Sequence, residues 1–312
     1  MRSSCGRTGA IVLLAGLVIV NACTTYDEQR NKLPDTRDRG TIHISADESF
    51  KPVIDAQVLV YEASQPNTHL LVDYKPEAEC LRDFANDSIR VIIATRGYTQ
   101  SEENFMIDSM KVIPLQMTVA RDAIAVIVNP LSEDSLFTMT ELKEILRGKF
   151  TKKLIPVFDG VKATSTVRFI VDSILHSDSL SPNTVAARTS EGVIDYVAKT
   201  PDAIGFIGVS WIGNKEDTSQ LNFLRKVKVA RLESTDRPGK FVLPFQINIS
   251  SKTYPMVRDL VYTLKENHRG LGTGFTEFMG EERGQLIFKR AYLAPAQKSF
   301  YVRKVELKEE TK

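Results

Sequence analysis

Cysteine is scarce in this sequence: Cys5, Cys23 and Cys80 are the three in 312 residues. Two of them lie in or beside an N-terminal apolar segment, so Cys80 is left without a partner. An intramolecular disulfide is thereby excluded, and the fold must rest on its apolar core, which a chain of this length can build as one domain or two. Histidine is also sparse. His43, His69, His176 and His268 are scattered, and none forms a recognisable partner motif for a reactive thiol. Cys80 therefore reads as a packing residue. Charge of one sign is missing as well. The formal net charge is +2, and Arg2 and Arg7 are the only charged residues in 1–22, so the remainder is close to neutral. A neutral balance argues against nucleic acid, which needs a basic footprint. It also requires any anion site to be local, made by a few donors. No repeat period is evident, which excludes solenoids and propellers. A metal cluster, a His–Asp pairing near Ser165 and a nucleophile elbow are all lacking, which weighs against a secreted phosphoester hydrolase. No cofactor is expected.

What is present begins with the N-terminus. Arg2 and Arg7 precede an unbroken run from Ala10 to Val20, followed by Asn21-Ala22-Cys23. A charged start, a short apolar core and a small residue before the cut make a secretory signal. The run is too short to span a bilayer, which takes ~20 apolar residues. Val20-Asn21-Ala22-Cys23 resembles a bacterial lipobox, in which the cysteine is diacylated. An ordinary cleaved signal, or a short anchor with an incidental Cys23, is the alternative. Thr24 to Gly40 is polar, with almost no large apolar residue, and reads as a flexible tether. The expected organisation is a signal over 1–22, a tether over 23–40, one lobe from 41–120 plus 241–305, and a second lobe from 121–240. The expected location is outside the inner membrane, periplasmic or on the cell surface, held by the lipid.

Beyond the tether, short apolar runs alternate with helical spacing, which predicts an α/β fold with largely parallel sheets. Strands are expected at Thr41–Ser45, Leu70–Tyr74, Arg90–Ala94, Ala123–Val128, Leu154–Phe158, Ala203–Ile207 and Phe241–Ile249. Helices are expected around Val53–Tyr61, Leu81–Ala85, Thr140–Leu146, Val167–Leu175, Met256–Leu264 and Phe275–Ala291. Pro114–Arg121 and Thr235–Lys240 read as crossings between lobes, which would put a cleft between them and permit hinge closure. Gly270-Leu271-Gly272-Thr273-Gly274 has a dinucleotide-motif look without the strand and helix that motif requires, and reads as a loop.

The strongest chemical signal is Asp159 to Arg168. Asp159-Gly160 marks a turn, and Val167, Ile170, Val171, Ile174 and Leu175 then fall on one helical face. Thr164 is a natural N-cap, so Thr164-Ser165-Thr166 opens the helix. A helix start offers unpaired N–H groups and the positive dipole end; three hydroxyls and Arg168 complete an anion-donor set. Plain capping, with Arg168 paired to Asp172, is the alternative. Ser49 and Phe50 follow the first strand and present a hydroxyl and backbone N–H groups. Thr95 and Arg96 follow the Arg90–Ala94 strand at its carboxyl end, where open α/β sheets bind ligands. Glu77 and Glu79 follow Pro76 in the first turn of another helix, where they complement its dipole.

Taken in order, these places resemble the phosphate-binding proteins of bacterial phosphate ABC transporters, within the type II periplasmic binding protein fold. The resemblance covers most of the chain after the tether. Ser49-Phe50 with Pro52 is similar to the family's first phosphate loop, Ile93-Ala94-Thr95-Arg96 to its Ala-Ser-Arg stretch, and Ala163-Thr164-Ser165-Thr166 to its Gly-Ser-Gly-Thr. Phe137–Gly148, Asp202–Phe206, Tyr254–Arg258 and Gly284-Gln285 with Ala291–Pro295 resemble further family segments. The resemblance implies a monomeric, two-lobed protein that captures a small oxyanion, phosphate foremost, and delivers it to an ABC permease. It implies ligand contacts from Ser49, Phe50, Thr95, Arg96, Thr164, Ser165, Thr166 and Arg168. Pro76-Glu77-Ala78-Glu79 replaces the family's Gly/Ser-rich second loop. The acceptor for the ligand's proton then falls to Asp47, Glu77 or Glu79, with Glu79 expected to pair with Arg96 or Arg168. An adaptor or sensor that keeps the fold without phosphate transport is the competing reading.

Overall fold

A computed structural model describes residues 33–160, 164–176 and 179–296. The signal, Cys23, most of the tether, Lys162-Ala163 and the tail from 297 lie outside the described residues.

Strands β1 (Arg39–Asp47), β2 (Asn67–Lys75) and β3 (Ile89–Ala94) pair in parallel, with β1 between the other two. The helix α1 (Lys51–Ser64) starts with Pro in its first turn and buries Val53, Ile54, Gln57 and Tyr61. Proline suits that position because its missing N–H would have no intrahelical acceptor. A short helix, α2 (Glu77–Arg82), connects β2 towards β3.

The long strand β4 (Leu115–Val128) joins two halves of the molecule. Its residues Leu115–Ala123 pair antiparallel with β12 (Val257–Leu264). Its residues Ile124–Val128 pair antiparallel with β8 (Ala203–Gly208). Beyond β8, β6 (Ile155–Phe158) and β7 (Val185–Ala186) add in parallel. The resulting order is β2-β1-β3-β12-β4-β8-β6-β7. One lobe is built on the β1 side of this path and the other on the β6 side.

Several expectations are corrected. Arg39-Gly40, read as tether, opens β1, and Asp35, which precedes it, is buried. Met256–Leu264 was expected to be helical, but β12 is a strand lying between β3 and β4, antiparallel to both; the sheet is mixed. Leu260 through Leu264 are all buried, so the strand has no solvent face and no polar alternation to announce it. Phe241–Ile249 is a strand only at Phe241–Val242, after which Gln246–Ser250 is helical. The single helix expected over 275–291 is two, Leu271–Gly280 and Glu282–Arg290, divided at Glu281, whose ψ is 170°. The glycine run 270–274 opens the first of these. Its N–H groups are taken by carboxylates: Glu266 accepts from Gly272 and Thr273, and Asp35 accepts from Leu271. The expected crossing at Pro114–Arg121 is mostly part of β4, and Thr235–Lys240 is the loop between Arg231–Glu233 and its antiparallel partner Phe241–Val242.

Cys80 is fully buried, and burial pushes its thiol up to about 12. That is the state of a packing thiol, since the thiolate is the reactive form.

Candidate functional site

The site collects at the carboxyl ends of β1, β3 and β6 and the helix that follows β6. After β1 the chain makes a single tight turn, Glu48–Phe50. Asp47 Oδ1 fixes it by accepting from the Ser49 N–H at 3.0 Å and the Ser49 hydroxyl at 2.8 Å. Across the cleft, α5 (Ser165–Ile170) starts with Thr164 as N-cap, its hydroxyl accepting from the Val167 N–H. Ser165 and Thr166 are fully buried, and the Ser165 and Ser49 hydroxyls lie 3.2 Å apart. The two helix and turn starts read from the sequence therefore meet.

Two arginines anchor this seam. Arg258, from β12, is buried and donates to Asp122 at 2.8 Å, to Ser165 at 2.9 Å and to Thr166 at 3.4 Å. Its guanidinium lies 5.3 Å from the centre of the Phe50 ring, so the Phe50 side chain packs beneath the cation. Arg168 reaches back across the cleft. Its Nε donates to Glu77 Oε2 at 2.6 Å and its Nη2 to the Thr95 hydroxyl at 2.7 Å. The other Glu77 oxygen accepts from the Thr95 N–H at 3.0 Å, and also from the Thr95 hydroxyl. Arg168 also meets Asp172 at 3.5 Å on the helix surface.

The structure brings Ser49, Phe50, Thr95, Thr164, Ser165, Thr166 and Arg168 into one place. It does not bring Arg96 or Glu79 there. Arg96 makes a bidentate pair with Glu102, at 2.9 and 3.1 Å, in the capping box of the helix Gln100–Phe105. Glu79 is exposed, and the Arg168 partnership goes to Glu77 instead. From the sequence, Asp159 reads only as a turn residue and Arg258 only as part of a family segment, and Asp122, Glu48 and Ser190 carry no site signal. Glu48 ties the lobes a second time, accepting from the Ser190 N–H at 3.0 Å and its hydroxyl at 2.8 Å.

The electrostatics are finely balanced. Burial pushes the Glu77 carboxyl up, but the Arg168 and Thr95 hydrogen bonds outweigh it and leave it below the ordinary value. Burial, opposed by Arg258 and helped by Glu77, raises Asp47. Burial, with Asp47 and Glu48 close by, pushes Asp159 up to about 7. Several buried atoms here have no hydrogen-bond partner: Arg258 Nη2, Asp47 Oδ2, Asp122 Oδ1 and Asp159 Oδ1. Buried polar atoms are nearly always paired, with protein or with ordered water, so this cluster is where water or a bound molecule would be received. Gly208, at the end of β8, lies against it. A methyl group there would come within 2.9 Å of the Ser49 carbonyl oxygen and 3.1 Å of Arg258 Nη2. Among the described residues no group of His, Cys, Asp or Glu is placed to hold a metal ion.

A two-lobed α/β molecule with polar donors converging between its lobes is the architecture of a solute-binding protein. The chain belongs to the PBP superfamily domain family, whose profile matches residues 33–282. It is similar to the phosphate-binding protein PstS of Borreliella burgdorferi, with 20% identity over 262 residues, 79% of this chain and 86% of that protein. Its fold is that of solved structures at 17–18% identity. One is assigned as a phosphate ABC transporter substrate-binding protein from Clostridium perfringens, with phosphate bound (TM-score 0.67, covering 83% of this chain and 100% of that one). Another is an ABC-type phosphate transport receptor from Vibrio cholerae (TM-score 0.60, covering 81% and 99%). No helix among the described residues is long and apolar enough to cross a membrane.

Proposed function

We propose that this chain is an extracytoplasmic solute-binding protein that captures inorganic phosphate between its lobes and delivers it to an ABC permease. In this reading residues 1–22 are a signal, Cys23 carries the lipid anchor, the tether ends before the buried Asp35, and the two lobes divide within β4, between Ala123 and Ile124. The protein binds its solute as a monomer and catalyses no turnover.

The observation that carries the ligand assignment is the unpaired set around Arg258. One buried guanidinium N–H has no acceptor, while Asp47 Oδ2 and Asp159 Oδ1 have no donor. A ligand that satisfies both must offer an oxyanion oxygen and a proton of its own. Protonated phosphate offers both; sulfate offers only acceptors, so an ionised carboxylate there gains no donor from it and repels it. The Thr166 hydroxyl, which accepts from Arg258 at 3.4 Å, has its own proton to offer as a further donor. A similar protein named as phosphate-binding and a similar fold solved with phosphate bound support the same choice.

The test is calorimetric titration of the chain from Thr24 to Lys312, stripped of bound ligand, with phosphate, sulfate and a phosphonate. Saturable phosphate binding with no response to sulfate is expected. Silence from every anion in a folded protein overturns the reading. It would then favour an adaptor that retains the fold, for which one observation speaks: Arg168 and Arg258 already have carboxylate partners.

A further inference from the structure

The Glu77 carboxylate is held as a bound anion would be held. Three kinds of donor meet on its two oxygens: a backbone N–H, a hydroxyl and a guanidinium. Two come from Thr95, on the β3 side of the cleft, and the third from Arg168, on the β6 side. Glu77 itself is 2% exposed, and Thr95 is buried. The carboxylate is therefore shielded from water and satisfied by both lobes at once. Its backbone belongs to the β3 side, in α2, so the Arg168 contact is a bond between lobes rather than within one.

The rest of the seam agrees with this. Ser49 meets Ser165 at 3.2 Å, and Glu48 accepts directly from the Ser190 N–H and hydroxyl at 3.0 and 2.8 Å. The closing contacts are thus made by the protein's own groups. Ordinary closure works differently: a ligand can shift an open–closed equilibrium only by its differential affinity for the closed form. Here a side chain already supplies part of that difference.

We propose that Glu77 is the cleft's resident anion: it holds the lobes shut with no solute present, and a solute must compete with it for Arg168. The first half of this stands on the geometry alone; the second rests on the phosphate reading. The resulting cycle is inverted relative to a cleft that waits open. The empty protein is compact, and solute entry requires the Glu77–Arg168 bond to part. Apparent affinity is then lowered by the fraction of molecules in which that bond is closed.

The experiment pairs small-angle X-ray scattering with phosphate calorimetry on the stripped chain from Thr24 to Lys312. It compares wild type, Glu77→Gln and Arg168→Ala. Stripped wild type is expected to have a compact radius of gyration that phosphate leaves unchanged. Glu77→Gln, which keeps the shape and removes the charge, is expected to be expanded when stripped and to contract on adding phosphate. It should also bind phosphate roughly tenfold more tightly, the gain from releasing a mostly latched site. Arg168→Ala breaks the same bond from the other side, and should expand the stripped protein whether or not Glu77→Gln folds. Equal radii for stripped wild type and both variants would overturn the latch. If the variants expand but neither they nor wild type bind phosphate, the latch stands and the phosphate reading fails.

Discussion

Replacing Asp159 with Asn tests the electrostatic account of the cleft without touching its shape. The Asp159 carboxyl is buried, and that burial, with Asp47 and Glu48 beside it, raises it from 3.8 to about 7. In the unfolded chain it returns to the ordinary value near 3.9. The folded protein therefore holds a proton through a range in which the unfolded chain has lost it. The stability this contributes is fully present below about pH 4 and is lost as pH rises towards 7. A separation of about three pH units corresponds to about 4 kcal/mol in total. Between about pH 5 and pH 8 the portion lost is ~3 kcal/mol. Asn retains an oxygen for the Thr164 hydroxyl and carries no charge at any pH. In urea denaturation at a series of pH values, the two proteins should be close in stability near pH 4. The variant should then gain on wild type by ~3 kcal/mol from pH 5 to 8. Parallel stability curves across that range would refute the reasoning, because they would mean that Asp159 titrates alike folded and unfolded.

Two further outcomes follow from the same seam. Gly208→Ala places a methyl group 2.9 Å from the Ser49 carbonyl oxygen and 3.1 Å from Arg258 Nη2; it should weaken phosphate binding by calorimetry by roughly tenfold or more, about 1.4 kcal/mol, as the Ser49 turn and Arg258 are pushed apart. In a double-mutant cycle, Arg168→Ala should cost ~3 kcal/mol, the low end for unpairing a buried carboxylate because the Arg168 side chain is 36% exposed. Adding Glu77→Ala should return part of that loss, with a coupling of ~2 kcal/mol by chemical denaturation; strict additivity would mean the pair does not interact.

The parts of this molecule that could be read from its sequence are those whose pattern is local. The strands near Thr41, Leu70, Arg90, Ala123 and Ala203 are short apolar runs between turns, and Thr164 is a cap followed by an amphipathic face. Where partners lie far apart in the chain the reading fails. Met256, Val257, Leu260, Val261 and Leu264 have helical spacing, yet they form an interior strand, since a strand covered on both faces needs no alternation. Arg258 sits in that strand, and its Asp122 partner lies 136 residues earlier in another. The two near misses at the site are errors of facing. Glu79 lies two helical positions beyond Glu77, a rotation of about 200° that turns it to solvent. Arg96 follows Thr95 in the bend just after β3, and the two point apart: Thr95 turns into the cleft and Arg96 turns to Glu102.

The place of β12 has a consequence for how the protein is made. The strand is drawn from late in the chain, yet it sits between two strands synthesised far earlier, β3 and β4. Until Val257–Leu264 has been synthesised, those two cannot be joined, and the lobe that contains them is an incomplete sheet with open edges. The growing polypeptide cannot lock into its final form during most of its own translation. If the chain is exported as proposed, this order of the strands keeps it threadable when it meets the export machinery.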